Sequence, residues 1–334
     1  MRMDGPARRG MQNHTNNEET EMPEPGEVVC FGVLSYLQLM VVDEPPVYNG
    51  GTPVRTMSDS YGDDAAIVAD MLHQLGQPAR FLPSALGDDD LGRKVAATVG
   101  ELGVPVQPVF KPGLSTVAEI SISDATGGRT YLYHRTPELL ATLDETDISP
   151  LETAAGLYVD WYDENYILRP MKRATELGIP VLVNIESQYE NRELLAQLAP
   201  YSAICQVSID GGAQAIGVAS ESHVDLTAVA HGLVEAGFHI AAVTRGDQGS
   251  VVADSRQTIR TRAPRVEVID GNGAGSSFSA AMLYGQVRRW PLEQCARFAT
   301  AQGSLKCTTP GYKVPAAAEG LRLASTLDVE VTTR

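Results

Sequence analysis

The sequence predicts an α/β protein with a mostly parallel central sheet, helices on both faces and a small separate β-sheet. Three observations lead there. From Pro78 onward, short apolar runs alternate with stretches of helical periodicity, the pattern of a parallel sheet buried on both sides. Two segments, about 38–57 and 116–133, read as strands and hold no helical stretch, so together they form a second sheet, placed as a lid or an interface. A glycine-rich turn opens the last group of helices.

Order is expected to begin at Val28-Val29-Cys30-Phe31-Gly32, an apolar run closed by glycine that reads as a buried strand. Pro45, Pro46, Gly50 and Gly51 break the 38–57 segment into two β-rich runs. Residues 63–75 are helical in period and stop at Gly76. Leu157-Tyr158-Val159 precedes a helix to about 177, Pro180-Val181-Leu182-Val183 precedes one near 192–198, and Ala203-Ile204-Cys205 comes next. A helix over 226–237 leads into Ile240-Ala241-Ala242-Val243 and Thr244, and further helices are expected near 275–287, 292–307 and 316–323. Residues 1–27 are polar and mixed and read as a disordered leader with no signal-peptide core, and 326–334 read as a C-terminal tail. No window approaches the ~18 apolar residues of a membrane span.

Twenty-six Lys+Arg face 42 Asp+Glu, a formal net charge of -16, which excludes nucleic acid and anionic membrane as natural partners. A small molecule or a protein partner fits better, and an anionic ligand would have to be held by local dipoles against the overall field. The four cysteines, Cys30, Cys205, Cys295 and Cys307, are widely spaced without a CxxC pair, so neither a zinc site nor a disulfide framework is expected and a reducing cytoplasm is the natural setting. The six histidines are equally scattered, and no metal site is expected from them.

The most informative stretch is Asp270-Gly271-Asn272-Gly273-Ala274-Gly275-Ser276-Ser277-Phe278, between the apolar run Val266-Glu267-Val268-Ile269 and an alanine-rich helix. Glycines at a strand-to-helix turn let a ligand approach the backbone, and the free N–H groups of the helix start form an anion hole. On its own the turn is equally a tight bend that needs positive φ. The segment, however, resembles the signature D-T-x-G-A-G-D-x-F of the ribokinase-like (PfkB) family of carbohydrate and nucleoside kinases, without a gap. Gly87-Asp88-Asp89-Asp90-Leu91-Gly92 with Leu102-Gly103-Val104 is similar to that family's G-D-D-x-x-G…L-x-x-x-G-V helix, and Thr244-Arg245-Gly246-Asp247-Gln248-Gly249 to its phosphate-contacting T-x-G-x-x-G turn. The resemblance spans about residues 28–325. It implies a three-layer α/β/α sandwich with a β lid, and ATP or ADP at Gly273, Ala274, Gly275, Ser276 and Asp270 with Thr244, Gly246 and Gly249. It also implies a nucleotide contact from Cys307 and Thr308-Thr309-Pro310-Gly311, and a homodimer through the lid.

Four positions depart from the family pattern. Where the family places the aspartate that takes the proton from the substrate hydroxyl, this chain has Ser276; a neutral hydroxyl cannot do so, and general-base help is worth ~10²–10⁴-fold. Leu37 stands where the family has a sugar-binding Asp, and the G-G-x-x-x-N element appears as Gly62-Asp63-Asp64-Ala65-Ala66-Ile67, with Ile67 for the Asn. The N-x-x-E element maps onto Ser208-Ile209-Asp210-Gly211, which leaves a thin supply of hard oxygen ligands for Mg²⁺. The expectation is a kinase homologue impaired in catalysis that still binds nucleotide and acts by binding or regulation. The alternatives are an active kinase for a less polar acceptor, with Asp270, Asp210 or Asp247 as substitute base, and a structural protein without a ligand.

Other polar groups are read as structural. Asp160-Trp161-Tyr162-Asp163-Glu164, with Asn184 and Glu186, lies on the strand-end rim where open α/β sheets bind ligands, yet reads first as solvated loop. Ser276 and Ser277 read as helix N-caps.

Overall fold

The computed structural model describes residues 26–44, 46–124, 128–209 and 224–334. Most of the expected leader and Asp210 lie outside the described residues. The chain begins with β1 (Val28–Gly32), β2 (Ser35–Val42), β3 (Val54–Gly62), α1 (Asp64–Gln74), β4 (Ala79–Pro83), β5 (Leu86–Gly87) and α2 (Asp90–Gly100). It continues through β6 (Phe110–Lys111), β7 (Ala118–Ser123), β8 (Arg129–Tyr133), α3 (Pro137–Ala141), β9 (Gly156–Asp160), α4 (Leu168–Glu176), β10 (Val181–Asn184), α5 (Arg192–Leu198) and β11 (Ile204–Ser208). After the next described segment come α6 (Leu226–Glu235), β12 (Ile240–Thr244), β13 (Ser250–Ala253), β14 (Gln257–Thr261), α7 (Ala274–Val287), α8 (Leu292–Lys306), α9 (Ala317–Ala324) and β15 (Val329–Thr333).

Nine strands form the central sheet in the order β15-β14-β13-β12-β11-β10-β9-β1-β4. β4, β1, β9, β10, β11 and β12 are parallel, and β13, β14 and β15 add antiparallel pairs at one edge. Because successive strand residues point to opposite faces, each strand feeds two cores. Cys30, Tyr158, Leu182, Ile204 and Ala242 pack under α1, α7 and α8, while Phe31, Val159, Val183, Val207 and Val243 pack against α4, α5 and α6. This is the expected α/β/α sandwich. The second sheet, β3-β2-β7-β8, is built from the two strand-like segments singled out in the sequence.

Two expectations change. Val266, Val268 and Ile269 are not in a strand, and Val268 and Ile269 are solvent-exposed; the ladder positions beside β13 and β14 go instead to each other and to β15. Residues 326–334, read as a tail, supply that edge strand, with Ile259 paired to Val331. No helix among the described residues is long and apolar enough to cross a membrane.

Truncation after Asp328 removes the β14–β15 ladder and is expected to lower stability by roughly 2 kcal/mol, from hydrogen bonds that are individually worth about 1 kcal/mol. A melting temperature equal to that of the full chain would contradict the strand's contribution.

Candidate active site

The site grows from the phase of the parallel strands. Continuing the face that carries Tyr158, Leu182, Ile204 and Ala242, the next outward positions toward the C-terminal ends are polar: Asp160, Asn184, Gln206 and Thr244. Register places Asn184 beside both Asp160 and Gln206. Asn184 Nδ2 donates to Asp160 Oδ2 (2.8 Å) and Glu186 Oε1 (2.6 Å), and Gln206 Nε2 donates to Gly275 O (3.2 Å) in α7. Of the rim residues read as solvated loop, Asp160 and Asp163 are fully buried and Asn184 nearly so, whereas Tyr162 and Glu164 are exposed as expected.

The glycine turn sits above this row. Gly273 starts α7 with φ 77°, a left-handed conformation that glycine adopts without strain. Asp270 organises the turn: Oδ1 accepts from Asn272 N and Nδ2 (both 2.9 Å), and Oδ2 from Gly311 N (2.9 Å). The loop after α8 is thus tied to the turn, with Cys307 O accepting from Ile269 N and Asp270 N. Beneath them lies a residue that sequence reasoning missed. Lys306 is completely buried, its Nζ donating to Asp270 O (3.0 Å) and Thr309 O (3.2 Å); burial lowers its pKa. Its only sequence signal is its place as the one basic residue in the last turn of α8.

Ser276 and Ser277 do not cap α7; the cap position is Gly273, with no side-chain bond. Instead Ser276 Oγ donates to Asp64 Oδ1 at 2.5 Å. Asp64 is the first residue of α1, which packs beside α7 on the same face of the sheet. A carboxylate therefore stands against the Ser276 hydroxyl. Burial raises the Asp64 pKa, opposed by the Ser276 hydrogen bond and by the charges of Arg129 and Arg135. Of the other candidate acids, Asp270 is engaged in the turn and Asp247 lies exposed in the turn before Gly249; Asp210 is outside the described residues.

Asp64, Asp160 and Glu186 each offer a carboxylate oxygen within 4.8 Å of the others. Hard oxygen donors so grouped are of the kind that Mg²⁺ takes. These oxygens come from β9, from the residues just after β10 and from the start of α1. Burial, then the charges of Asp64 and Glu186, hold the Asp160 pKa well above the usual carboxylate range.

A second group lies at the hinge of the lid. Arg135, just beyond β8, pairs with Asp63 (2.8 Å), Asp163 (3.1 Å) and Glu119 (3.3 Å), and its guanidinium lies over the rings of Tyr162 (5.5 Å) and Tyr133 (5.7 Å). Asp63 takes φ 81°, a position costly for a residue with a side chain and held here by the ion pair. Gly62 is small because a Cβ there would meet Ser35 Oγ and stand 3.0 Å from Glu119 Oε2. Burial, followed by the charge of Asp63, raises the Glu119 pKa to about 7. Leu37 and Ile67 are buried in packing, Leu37 on lid strand β2 and Ile67 inside α1. The lid closes on the turn through Asn272, whose Oδ1 accepts from Ser121 Oγ (3.1 Å) and Tyr131 OH (3.2 Å) while Nδ2 donates to Ser123 Oγ (2.7 Å).

Of the residues expected at the cradle, Gly273, Ala274, Gly275 and Ser276 form the start of α7. Thr244 ends β12, and Gly246 and Gly249 bound the turn after it, both at positive φ.

Residues 26–318 match the profile of the pfkB family carbohydrate kinases. A nucleoside kinase of Methanothermobacter thermautotrophicus is 24% identical over 285 residues, covering 85% of this chain and 90% of that protein. Arabidopsis thaliana ribokinase, solved with ribose and ATP, superposes with a TM-score of 0.68 at 19% identity over 90% of this chain and 99% of its own. A Burkholderia thailandensis nucleoside kinase in complex with inosine gives 0.70 at 17% identity over 90% and 97%.

Arg135→Met strands three buried carboxylates and is expected to cost ~3–5 kcal/mol in chemical denaturation. Glu119 binds a proton more tightly folded than unfolded, so stability falls as pH rises from about 4.5 to about 7. Glu119→Gln should flatten that part of the melting-temperature profile; an unchanged slope would contradict the buried ionisation.

Proposed function

Because the chain belongs to the pfkB family of carbohydrate kinases, we propose that it is an ATP-dependent kinase of a hydroxyl on a sugar- or nucleoside-like acceptor, with Asp64 acting in place of the missing base. The observation that carries this reading is the 2.5 Å hydrogen bond from Ser276 to Asp64. It puts a carboxylate beside the position from which the proton must be taken. The impaired-binder expectation rested on the absence of such a group.

In this reading the nucleotide phosphates lie at Gly273, Ala274, Gly275 and Ser276, where the first N–H groups of α7 and the helix dipole stabilise negative charge. Thr244, Gly246 and Gly249 flank the phosphates, and the Cys307 to Gly311 loop borders the base. Mg²⁺ fits Asp160 and Glu186, and when bound it neutralises phosphate charge. The acceptor hydroxyl gives its proton to Asp64 as its oxygen attacks the γ-phosphorus and the bond to ADP breaks. Burial makes Asp64 a stronger base than a solvated carboxylate, and Ser276 orients the carboxylate toward the cradle. Four free thiols suit a reducing cytoplasm.

The lid's outward face supports a homodimer. Met40 pairs with Met57 and Ile122, and Ile120 with Leu132; Met57 and Leu132 are exposed. A second copy covering this face would bury that apolar surface.

Asp64→Asn is expected to reduce ADP formation with a sugar and nucleoside panel by ~10²–10⁴-fold while nucleotide affinity persists. Turnover unchanged by this substitution would remove Asp64 as the base. Met57→Asp with Leu132→Asp should convert a dimer to a monomer in sedimentation, and an unaltered sedimentation coefficient would argue against the lid interface.

A further inference from the structure

Beyond Asp64, α1 carries a second polar group that the transfer reaction does not use. Asp70 lies in the run Ala65-Ala66-Ile67-Val68-Ala69-Asp70-Met71-Leu72, where every other residue is apolar, and it is buried together with Tyr61 near the end of β3. Its Oδ2 accepts from Tyr61 OH (2.5 Å) and, one helical turn further on, from Gln74 Nε2 (2.8 Å). A carboxylate only accepts, so the Gln74 amide faces it with its nitrogen. The same nitrogen also donates to Tyr312 O (3.0 Å), while Oε1 accepts from Val314 N (3.0 Å). The amide thus grips the backbone on both sides of Lys313, in the loop that follows α8.

That grip reaches the cradle. The Tyr312 ring stands against the Tyr61 ring, with centroids 5.4 Å apart, and borders Gly273, where a Cβ would come within 3.1 Å of Tyr312 Cδ1 and 2.9 Å of Met71 Cε. Gly273 caps the N-terminus of α7, so its placement aims the first free N–H groups of that helix. Burying a carboxylate is costly unless it is hydrogen-bonded, and what this one provides is a fixed orientation of Gln74. We infer that Asp70 and Gln74 are positioning residues for the nucleotide, holding Tyr312 against Gly273 and the loop from Cys307 to Val314 against the glycine turn. The inference deepens the kinase reading and rests on its placement of the phosphates at the cradle and the base beside that loop.

The test is calorimetric titration of ADP into the full chain. Gln74→Leu removes both backbone bonds and is expected to weaken ADP binding about tenfold. Asp70→Leu should do the same, whereas Asp70→Asn, whose side-chain oxygen can still accept from Tyr61 and Gln74, should stay within about twofold of the unaltered chain. Leu194→Ala, a buried truncation in α5 on the opposite face of the sheet, lowers the melting temperature and leaves ADP affinity unchanged, which separates positioning from loss of stability. Where Gln74→Leu does not fold by circular dichroism, Gln74→Glu, of the same size but with an acceptor in place of the donor, reads the same effect. ADP affinity untouched by the Gln74 substitution, Asp70→Asn as weak as Asp70→Leu, or an equal loss with Leu194→Ala overturns the inference and leaves the kinase reading standing. No binding of ADP by the unaltered chain defeats both.

Discussion

Much of the architecture turns on one guanidinium. Arg135 gathers carboxylates from three different parts of the chain: the left-handed residue before α1, the lid strand β7 and the loop after β9. Without it those acids could not share a buried space, because each would repel the others where water cannot screen them. With it, the lid is held against the sheet, Asp63 keeps a backbone conformation that would otherwise be unfavourable, and α1 begins where its first carboxylate meets α7. The position of Asp64 beside Ser276 is thus an indirect result of the charge balance at the hinge.

That arrangement also brings the starts of two helices together. α1 and α7 lie side by side in one layer, so a group at the start of either helix points into the same space. Serine at position 276 is small enough to leave room and polar enough to fix its neighbour with a short bond. An aspartate at both positions would place two negative charges in contact, which burial makes unfavourable.

The fold was legible in the sequence where local pattern determines structure. Buried parallel strands read as continuous apolar runs, helices read by their period, and Gly76, with φ 78°, closes α1 as its position suggests. The errors fell where local pattern is ambiguous. Val266 to Ile269 has strand-like composition but no free ladder to join, and β15 is polar enough to read as tail because only its backbone matters at an edge. The site was less legible for a different reason. Ser276 and Asp64 are 212 residues apart, and nothing local to either marks the pairing. Asp160 and Asn184 did carry a signal: each is a polar residue in phase with the core face of a buried strand, which a solvated loop has no reason to maintain.

Asn272 links the lid to the glycine turn through a single side-chain amide. Its oxygen takes hydroxyls from β7 and β8, and its nitrogen serves both Ser123 and Asp270, so no polar atom of the amide is left over. These bonds share one centre: with both strands withdrawn, the amide would keep only its bond to Asp270. Any displacement of the small sheet from the turn would therefore break bonds from β7 and β8 at one amide, which ties the position of that sheet to the backbone at the start of α7.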